Sequence, residues 1–211
     1  MTDQYRVNPL VYGLSRAVFW CYLRAYHRYE VHGREHVPRQ GGCILVANHA
    51  SFLDPIVVGC PIWNRPVHFM ARDTLFLRSS LSKWWAAAVG TLLVDRSRGD
   101  IRALRQAIDL VQRGHLLCLF PEGTRSQDGR LQPVKAGIGF LIEKSGVPVI
   151  PTYIGGTFQA LPRGARWSKP CKIKIHFGRA LTPADCAAFK NDQDRYQNIA
   201  DLVMARIAAL C

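Results

Sequence analysis

Apolar residues fall along the chain in short, uninterrupted runs at 43–47, 67–71, 91–94, 115–120, 147–154 and 171–177. Runs of that length, partly β-branched and bounded by glycine or proline, predict strands buried on both faces of a sheet. The first, Cys43-Ile44-Leu45-Val46, follows Gly41-Gly42, and the last residue expected in its strand is Ala47. Between the runs the period changes. Ile101, Leu104, Ile108 and Val111 form one apolar stripe before Gly114, and Tyr196, Ile199, Val203 and Ile207 form another close to the C-terminus. That spacing predicts helices with one face turned to a core. Gly137-Ile138-Gly139 is too short for a dinucleotide fingerprint and reads as close packing on a helix. The expected fold is α/β, a single domain whose mixed β-sheet is flanked by helices. Residues 1–35 form an N-terminal amphipathic segment ahead of a main domain at 36–211.

Composition sharpens this picture. At 211 residues with 48% apolar content, the chain suits one domain with a sizeable core. Seven cysteines, at 21, 43, 60, 118, 171, 186 and 211, show no CxxC spacing and read as buried free thiols of a reducing compartment. The N-terminus lacks the pattern of a secretory leader, and no apolar stretch reaches the length of a membrane-spanning helix.

Lysine and arginine outnumber aspartate and glutamate 28 to 15, a formal charge of +13 that calls for an anionic partner. Nucleic acid is set aside, because no zinc finger, helix-turn-helix or RNP-like aromatic motif is present and the basic residues are scattered. An anionic lipid surface fits better. Leu10, Leu14, Val18, Phe19 and Trp20 are interleaved with Arg16, Arg24 and Arg28, and Asp3 is the sole acid before Glu30. Such a helix can lie among headgroups or pack on the core, and both hold if only one end is exposed. A second basic stretch, from Ser145 to Ala184, has no acid and contains Arg163, Arg166, Lys169, Lys172, Lys174 and Arg179 around Trp167. It suits a membrane contact, an acidic carrier protein, the phosphates of coenzyme A, or plain solvation. Trp84, Trp85 and Ala86 to Ala88 suggest a helix that lines an acyl channel or packs in the core.

Candidate chemistry gathers where strands end. On a regular helix His49 and Asp54 would point about 140° apart. A strand ending at Ala47 and a helix starting near Ser51 or Phe52 instead puts His49 in a turn and Asp54 in the first helical turn, from where its carboxylate can reach back. A carboxylate on one imidazole nitrogen fixes the tautomer and leaves the other nitrogen to take a hydroxyl proton. Ser51 suits an N-cap. No HExxH, cysteine pair or second histidine stands at ligand spacing, so a metal ranks below a general base. Asp95-Arg96 follows the run Thr91-Leu92-Leu93-Val94, where a guanidinium at a strand end can hold a phosphate. Pro121-Glu122-Gly123-Thr124-Arg125-Ser126 is a turn placing opposite charges at the carboxyl end of another strand. Lys135 adds positive charge nearby. Val147-Pro148-Val149-Ile150-Pro151 carries two prolines that cannot donate to a ladder, which suggests a sheet edge or a strand start.

These four blocks, Asn48 to Asp54, Gly90 to Arg96, Phe120 to Ser126 and Val147 to Pro151, resemble in order and spacing those of the glycerolipid acyltransferases, the family of 1-acylglycerol-3-phosphate O-acyltransferases. Leu93 and Val94 stand where many members have Phe and Ile. The resemblance implies His49 and Asp54 as the catalytic pair and Arg96 as the holder of the acceptor phosphate. It also implies that Glu122, Gly123, Thr124 and Arg125, with Lys135, bind the acceptor, and that the fourth block walls the acyl-donor side. The implied reaction moves a fatty acyl group from acyl-coenzyme A or acyl carrier protein to a lysophospholipid, foremost 1-acylglycerol 3-phosphate, giving phosphatidic acid. Neither metal nor cofactor is expected, and the implied place is peripheral, on the cytoplasmic face of a membrane. The rivals are another lyso-lipid acceptor and a non-catalytic lipid-binding protein of the same fold.

Overall fold

The computed structural model describes residues 5–72, 80–94 and 100–211. In chain order come α1 (Pro9–His27), β1 (Glu30–His32), a single 3-10 turn (Arg34–His36), β2 (Cys43–Ala47), α2 (Asp54–Gly59), β3 (Val67–Arg72), α3 (Ser80–Ala88), β4 (Thr91–Val94), α4 (Asp100–Gln112), β5 (Leu116–Leu119), α5 (Gly137–Ser145), β6 (Val149–Gly155), α6 (Thr157–Ala160), β7 (Lys174–Phe177), α7 (Pro183–Ala187) and α8 (Arg195–Ala208).

The strands form a mixed seven-stranded sheet in the order β1-β7-β6-β2-β5-β3-β4. Its neighbours are parallel except for the antiparallel pair β6 and β7. Every residue of β2 is fully buried, as expected of a parallel strand covered on both faces. The side chains alternate: Cys43, Leu45 and Ala47 enter the cluster beneath α1 and α2, while Ile44 and Val46 enter the one beneath α4, α5 and α8. Each fully buried leucine or isoleucine contributes about 1.5–3 kcal/mol through loss of water-exposed apolar surface. Gly139 lets α8 approach, since a Cβ there would sit 1.8 Å from the Tyr196 carbonyl oxygen. This is the close packing expected of the Gly137 to Gly139 segment.

Six strands fall on the apolar runs, but β1 has no such run and joins the sheet through β7. It lies inside the expected N-terminal segment 1–35, so that segment and the rest share one sheet. The fourth block is a strand start, with β6 beginning at Val149, and not a sheet edge. β6 lies between β2 and β7, and Val149 exchanges both its backbone hydrogen bonds with Leu181 on the β7 side. Ladder pairing with β7 then begins at Thr152. Pro151, between them, faces that side at a step where no donor is used, and its carbonyl accepts from Gly178 N–H at 2.8 Å. In α4 the inward face is Ala107, Leu110 and Val111, whereas Ile101 is 68% exposed, since the helix begins beyond the end of the core. Cys43, Cys60, Cys118 and Cys186 are buried, but Cys21 and Cys211 are exposed, on the outer face of α1 and at the chain end. Burial pushes the Cys43 and Cys60 thiols up to about 12, which keeps them protonated and inert.

Asn8 caps α1 by accepting from Leu10 and Val11 N–H, with Pro9 in the first turn. The inner face of α1 is held by the packing of Phe19, Trp20, Tyr22 and Leu23 and by polar ties. Arg16 donates to Ile62 O and Trp63 O, Tyr12 Oη accepts Val67 N–H, and Trp85 Nε1–H donates to Ser15 Oγ. Its C-terminal end is locked by buried Leu23 and His27 and by Tyr22 and Tyr26, which bond to Ser168. Leu10, Leu14 and Val18 stand outward, 82%, 69% and 57% exposed. Among the described residues no helix is long and apolar enough to cross a membrane.

Candidate active site

Because β2 and β5 are parallel neighbours, the loops after them meet at one edge of the sheet, the place where open α/β sheets bind ligands. The first is the turn from Asn48 to Leu53. Asn48 continues the β2–β6 ladder with its side chain: its Nδ2 donates to Ile154 O at 2.9 Å and its Oδ1 accepts Ile154 N–H at 2.7 Å. The chain then folds over the Asp54 carboxylate. One oxygen, Oδ2, accepts from His49 Nδ1 at 2.8 Å and from the Ala50 and Ser51 N–H groups, both at 2.7 Å. Asp54 is fully buried, so its charge meets the ring unscreened by water. The bonding fixes the Nδ1–H tautomer of neutral His49 and leaves Nε2 as its free acceptor. The ring stacks on Phe120, centroids 4.2 Å apart, and lines the main cavity.

The helix after the turn begins at Asp54 itself, later than the expected Ser51 or Phe52. The reason is local. Ser51 Oγ accepts Leu53 N–H in a side-chain turn and donates to Leu161 O, while the neighbouring N–H groups are spent on Asp54. Ser51 is thus a latch to a distant loop rather than the N-cap.

The β5 loop is registered on the same turn. Ser126 N–H donates to His49 O at 2.8 Å, and Glu122 Oε1 accepts His49 N–H at 3.1 Å. Glu122 therefore holds the backbone of the base and does not line the cavity. Burial pushes its carboxyl up to about 7, with the Asp54 charge adding to the rise. Gly123, Thr124 and Arg125 do line the cavity. The Arg125 guanidinium lies 3.5 Å from the centre of the Phe52 ring, a cation–π platform. Lys135 is exposed and apart from the cavity wall. Arg96 lies outside the described residues. Among the described residues no group of three His, Cys, Asp or Glu side chains is arranged to hold a metal.

The cavity encloses about 960 Å³, at the upper end of ordinary ligand pockets. His49 and the Gly123 to Arg125 turn form its polar end. Away from them it runs under α1, between Phe19, Ile56, Phe69, Met70, Trp85 and Val89. Trp85 thus faces the cavity, whereas Trp84 is 56% exposed. Sequence reasoning gave no role to Phe52 or Asn48. A phenylalanine inside an otherwise polar turn and an asparagine directly after a buried strand were the available signals.

This geometry has a family. The acyltransferase model matches residues 28–155, more than half of the chain, which therefore belongs to the acyltransferase family. A chloroplastic 1-acyl-sn-glycerol-3-phosphate acyltransferase of Brassica napus is 32% identical over 154 residues, 71% of this chain and 44% of that protein. A 1-acyl-sn-glycerol-3-phosphate acyltransferase of Bacillus subtilis is 26% identical over 161 residues, 75% of this chain and 76% of that protein. The chain thus spans under half the length of the Brassica relative and three quarters of the bacterial one. The crystal structure of the 1-acyl-sn-glycerophosphate (LPA) acyltransferase PlsC from Thermotoga maritima superposes with a TM-score of 0.75 at 25% identity, covering 100% of this chain and 83% of that one.

Proposed function

We propose that this chain transfers a fatty acyl group from a thioester to the free hydroxyl of 1-acyl-sn-glycerol 3-phosphate, giving phosphatidic acid for phospholipid synthesis. The observation that carries the reading is the fully buried Asp54 bonded at 2.8 Å to His49, which opens on a largely apolar cavity with a guanidinium at its rim. The names of the Brassica and Bacillus relatives favour this acceptor. His49 Nε2 takes the hydroxyl proton as the oxygen attacks the thioester carbonyl. The carbon–sulfur bond then breaks, and the imidazolium returns its proton to the departing thiolate. Asp54 stabilises the imidazolium between these steps. The acyl chain occupies the apolar arm of the cavity, and Arg125 faces the acceptor phosphate. The donor is acyl-coenzyme A or acyl carrier protein.

The same reading puts the protein on the cytoplasmic surface of a membrane as a peripheral enzyme. Outward Leu10, Leu14 and Val18 on α1 and Leu81 and Trp84 on α3 can enter the lipid interface, and the charge of +13 favours an anionic leaflet. Labelled acyl-coenzyme A and a panel of lyso-lipids, offered to the protein and to His49→Ala, test the proposal. Transfer to lysophosphatidate should appear with the protein and vanish with the variant. Full activity of the variant refutes the role of His49, and transfer only to another acceptor refutes the substrate.

A further inference from the structure

A loop outside all four sequence blocks also enters the site. After α6 the chain passes Leu161, whose carbonyl oxygen accepts Ser51 Oγ–H at 2.8 Å. It then makes a tight turn, closed by Ala165 N–H on Pro162 O at 3.1 Å, with Gly164 at φ +92°. That dihedral suits the third position of a turn and is open to glycine at little cost. Arg163, at the corner of the turn, lines the same cavity as His49 and Arg125.

Two loops, one bearing Arg125 and one bearing Arg163, are therefore each hydrogen-bonded to the catalytic turn within two residues of the base. Ser126 N–H on His49 O registers the first, and Ser51 Oγ–H on Leu161 O registers the second. Neither guanidinium is paired with a carboxylate among the described residues. Nη1 of Arg125 is buried and has no hydrogen-bond partner among the described residues. The two like charges act on each other: after burial, the positive charge of Arg163 is the next cause lowering the Arg125 pKa, with Asp54 opposing it. An arrangement of this kind is relieved by an anion between the two forks, and a phosphate matches their donors.

We propose that Arg163 and Arg125 form a two-armed clamp for a phosphomonoester, and that Arg163 makes the site select an acceptor with a free phosphate over lyso-lipids whose headgroup carries less charge or none. The assignment rests on the acyl-transfer reading above. Coenzyme A also carries a phosphomonoester, but at the far end of its pantetheine arm. In 1-acylglycerol 3-phosphate the phosphate is one methylene and one ester oxygen from the carbon bearing the reacting hydroxyl. Residues tied to the turn that holds the base suit the second distance.

The test compares the full chain with Arg163→Gln and Arg163→Lys. With lysophosphatidate as acceptor, Arg163→Gln should raise KM about tenfold, the lower range for a charge-assisted hydrogen bond at an exposed side chain. The kcat and the KM for acyl-coenzyme A should stay within twofold, and Arg163→Lys should recover part of the loss. With lysophosphatidylglycerol, a monoanionic diester, the same variant should change KM less than threefold. An acceptor KM that stays within twofold overturns the proposal, as does equal loss for both acceptors. A rise confined to the acyl-coenzyme A KM moves the clamp to the donor and also overturns it. Binding of sn-glycerol 3-phosphate, followed by phosphorus NMR, separates the clamp from the reaction. If no lysophospholipid is acylated but binding weakens in Arg163→Gln, the clamp stands and the acyl-transfer reading falls. If glycerol 3-phosphate does not bind, or binds the variant equally well, the clamp falls.

Discussion

The two ends of the cavity are built by opposite means. At the polar end three donors converge on one oxygen of Asp54, and the backbone of His49 is bonded at both its N–H and its C=O. At the other end, under α1, the walls are mostly aromatic and aliphatic side chains, and the polar groups among them, on Tyr12, Ser15 and Arg16, are bonded to Val67, Trp85, Ile62 and Trp63. Proton transfer requires atoms placed to a few tenths of an ångström. A hydrocarbon chain requires only dry volume, and side-chain packing supplies that with some tolerance. The contrast teaches that substitutions at the polar end change rate, while those at the apolar end change which chain is used.

The sharpest way to break the polar end is Asp54→Asn. The amide keeps the volume but removes the charge and can present N–H where an acceptor is needed, so His49 loses its tautomer and its counter-ion together. By the behaviour of Asp–His pairs in hydrolases, kcat should fall by roughly 10³–10⁴, measured with saturating lysophosphatidate. Circular dichroism should show the fold retained.

The apolar end should respond in selectivity. Gly59, in the last turn of α2, lines the cavity, and a Cβ there would touch the Phe69 ring at an ordinary 3.7 Å. Gly59→Leu is therefore accommodated at its first carbon, and the rest of its side chain extends into the space for the acyl chain. The ratio of kcat/KM for palmitoyl over decanoyl donors should drop about tenfold, in line with ~1–3 kcal/mol for overpacking. An unchanged ratio would show that the donor chain lies elsewhere.

The smallest effect separates placing the base from stabilising the fold. Burial raises the Glu122 carboxyl from its ordinary 4.5 to about 7, so in that window the folded protein holds a proton that the unfolded chain releases. The stabilising contribution is full below pH 4.5 and lost as pH rises to about 7. Glu122→Gln keeps an oxygen for His49 N–H and cannot ionise. Urea unfolding at a series of pH values should show the difference between variant and parent grow in the variant's favour from pH 5 to pH 7, and a constant difference would contradict it.

Sequence pattern made the sheet legible wherever a strand is buried on both faces, as in β2 and β5, because an unbroken apolar run escapes water only where both faces are covered. It did not reveal β1, whose Glu30-Val31-His32 is polar and held in place by β7. Of the edge or strand start expected from Pro148 and Pro151, the strand start holds, since Pro148 directly precedes β6, and the edge does not, since Pro151 sits where the ladder has a gap. At the site, the His49–Asp54 turn could be inferred because its parts are neighbours in sequence. Ser51 reads locally as a cap because its acceptor, Leu161, is 110 residues away, and Arg163 reads as one basic residue among several for the same reason. Contacts made by side chains across such separations leave no local period to read.

The ties along the inner face of α1 carry a mechanical consequence. The helix over the cavity is fastened by the packing of Phe19, Trp20 and Leu23 and, beside it, by hydrogen bonds at Tyr12, Ser15 and Arg16. Water competes for each of those fastenings, and each strengthens as its surroundings dry. If α1 lies in a lipid surface as proposed, those hydrogen bonds tighten there, and the helix over the cavity is held most firmly where lipid substrates enter.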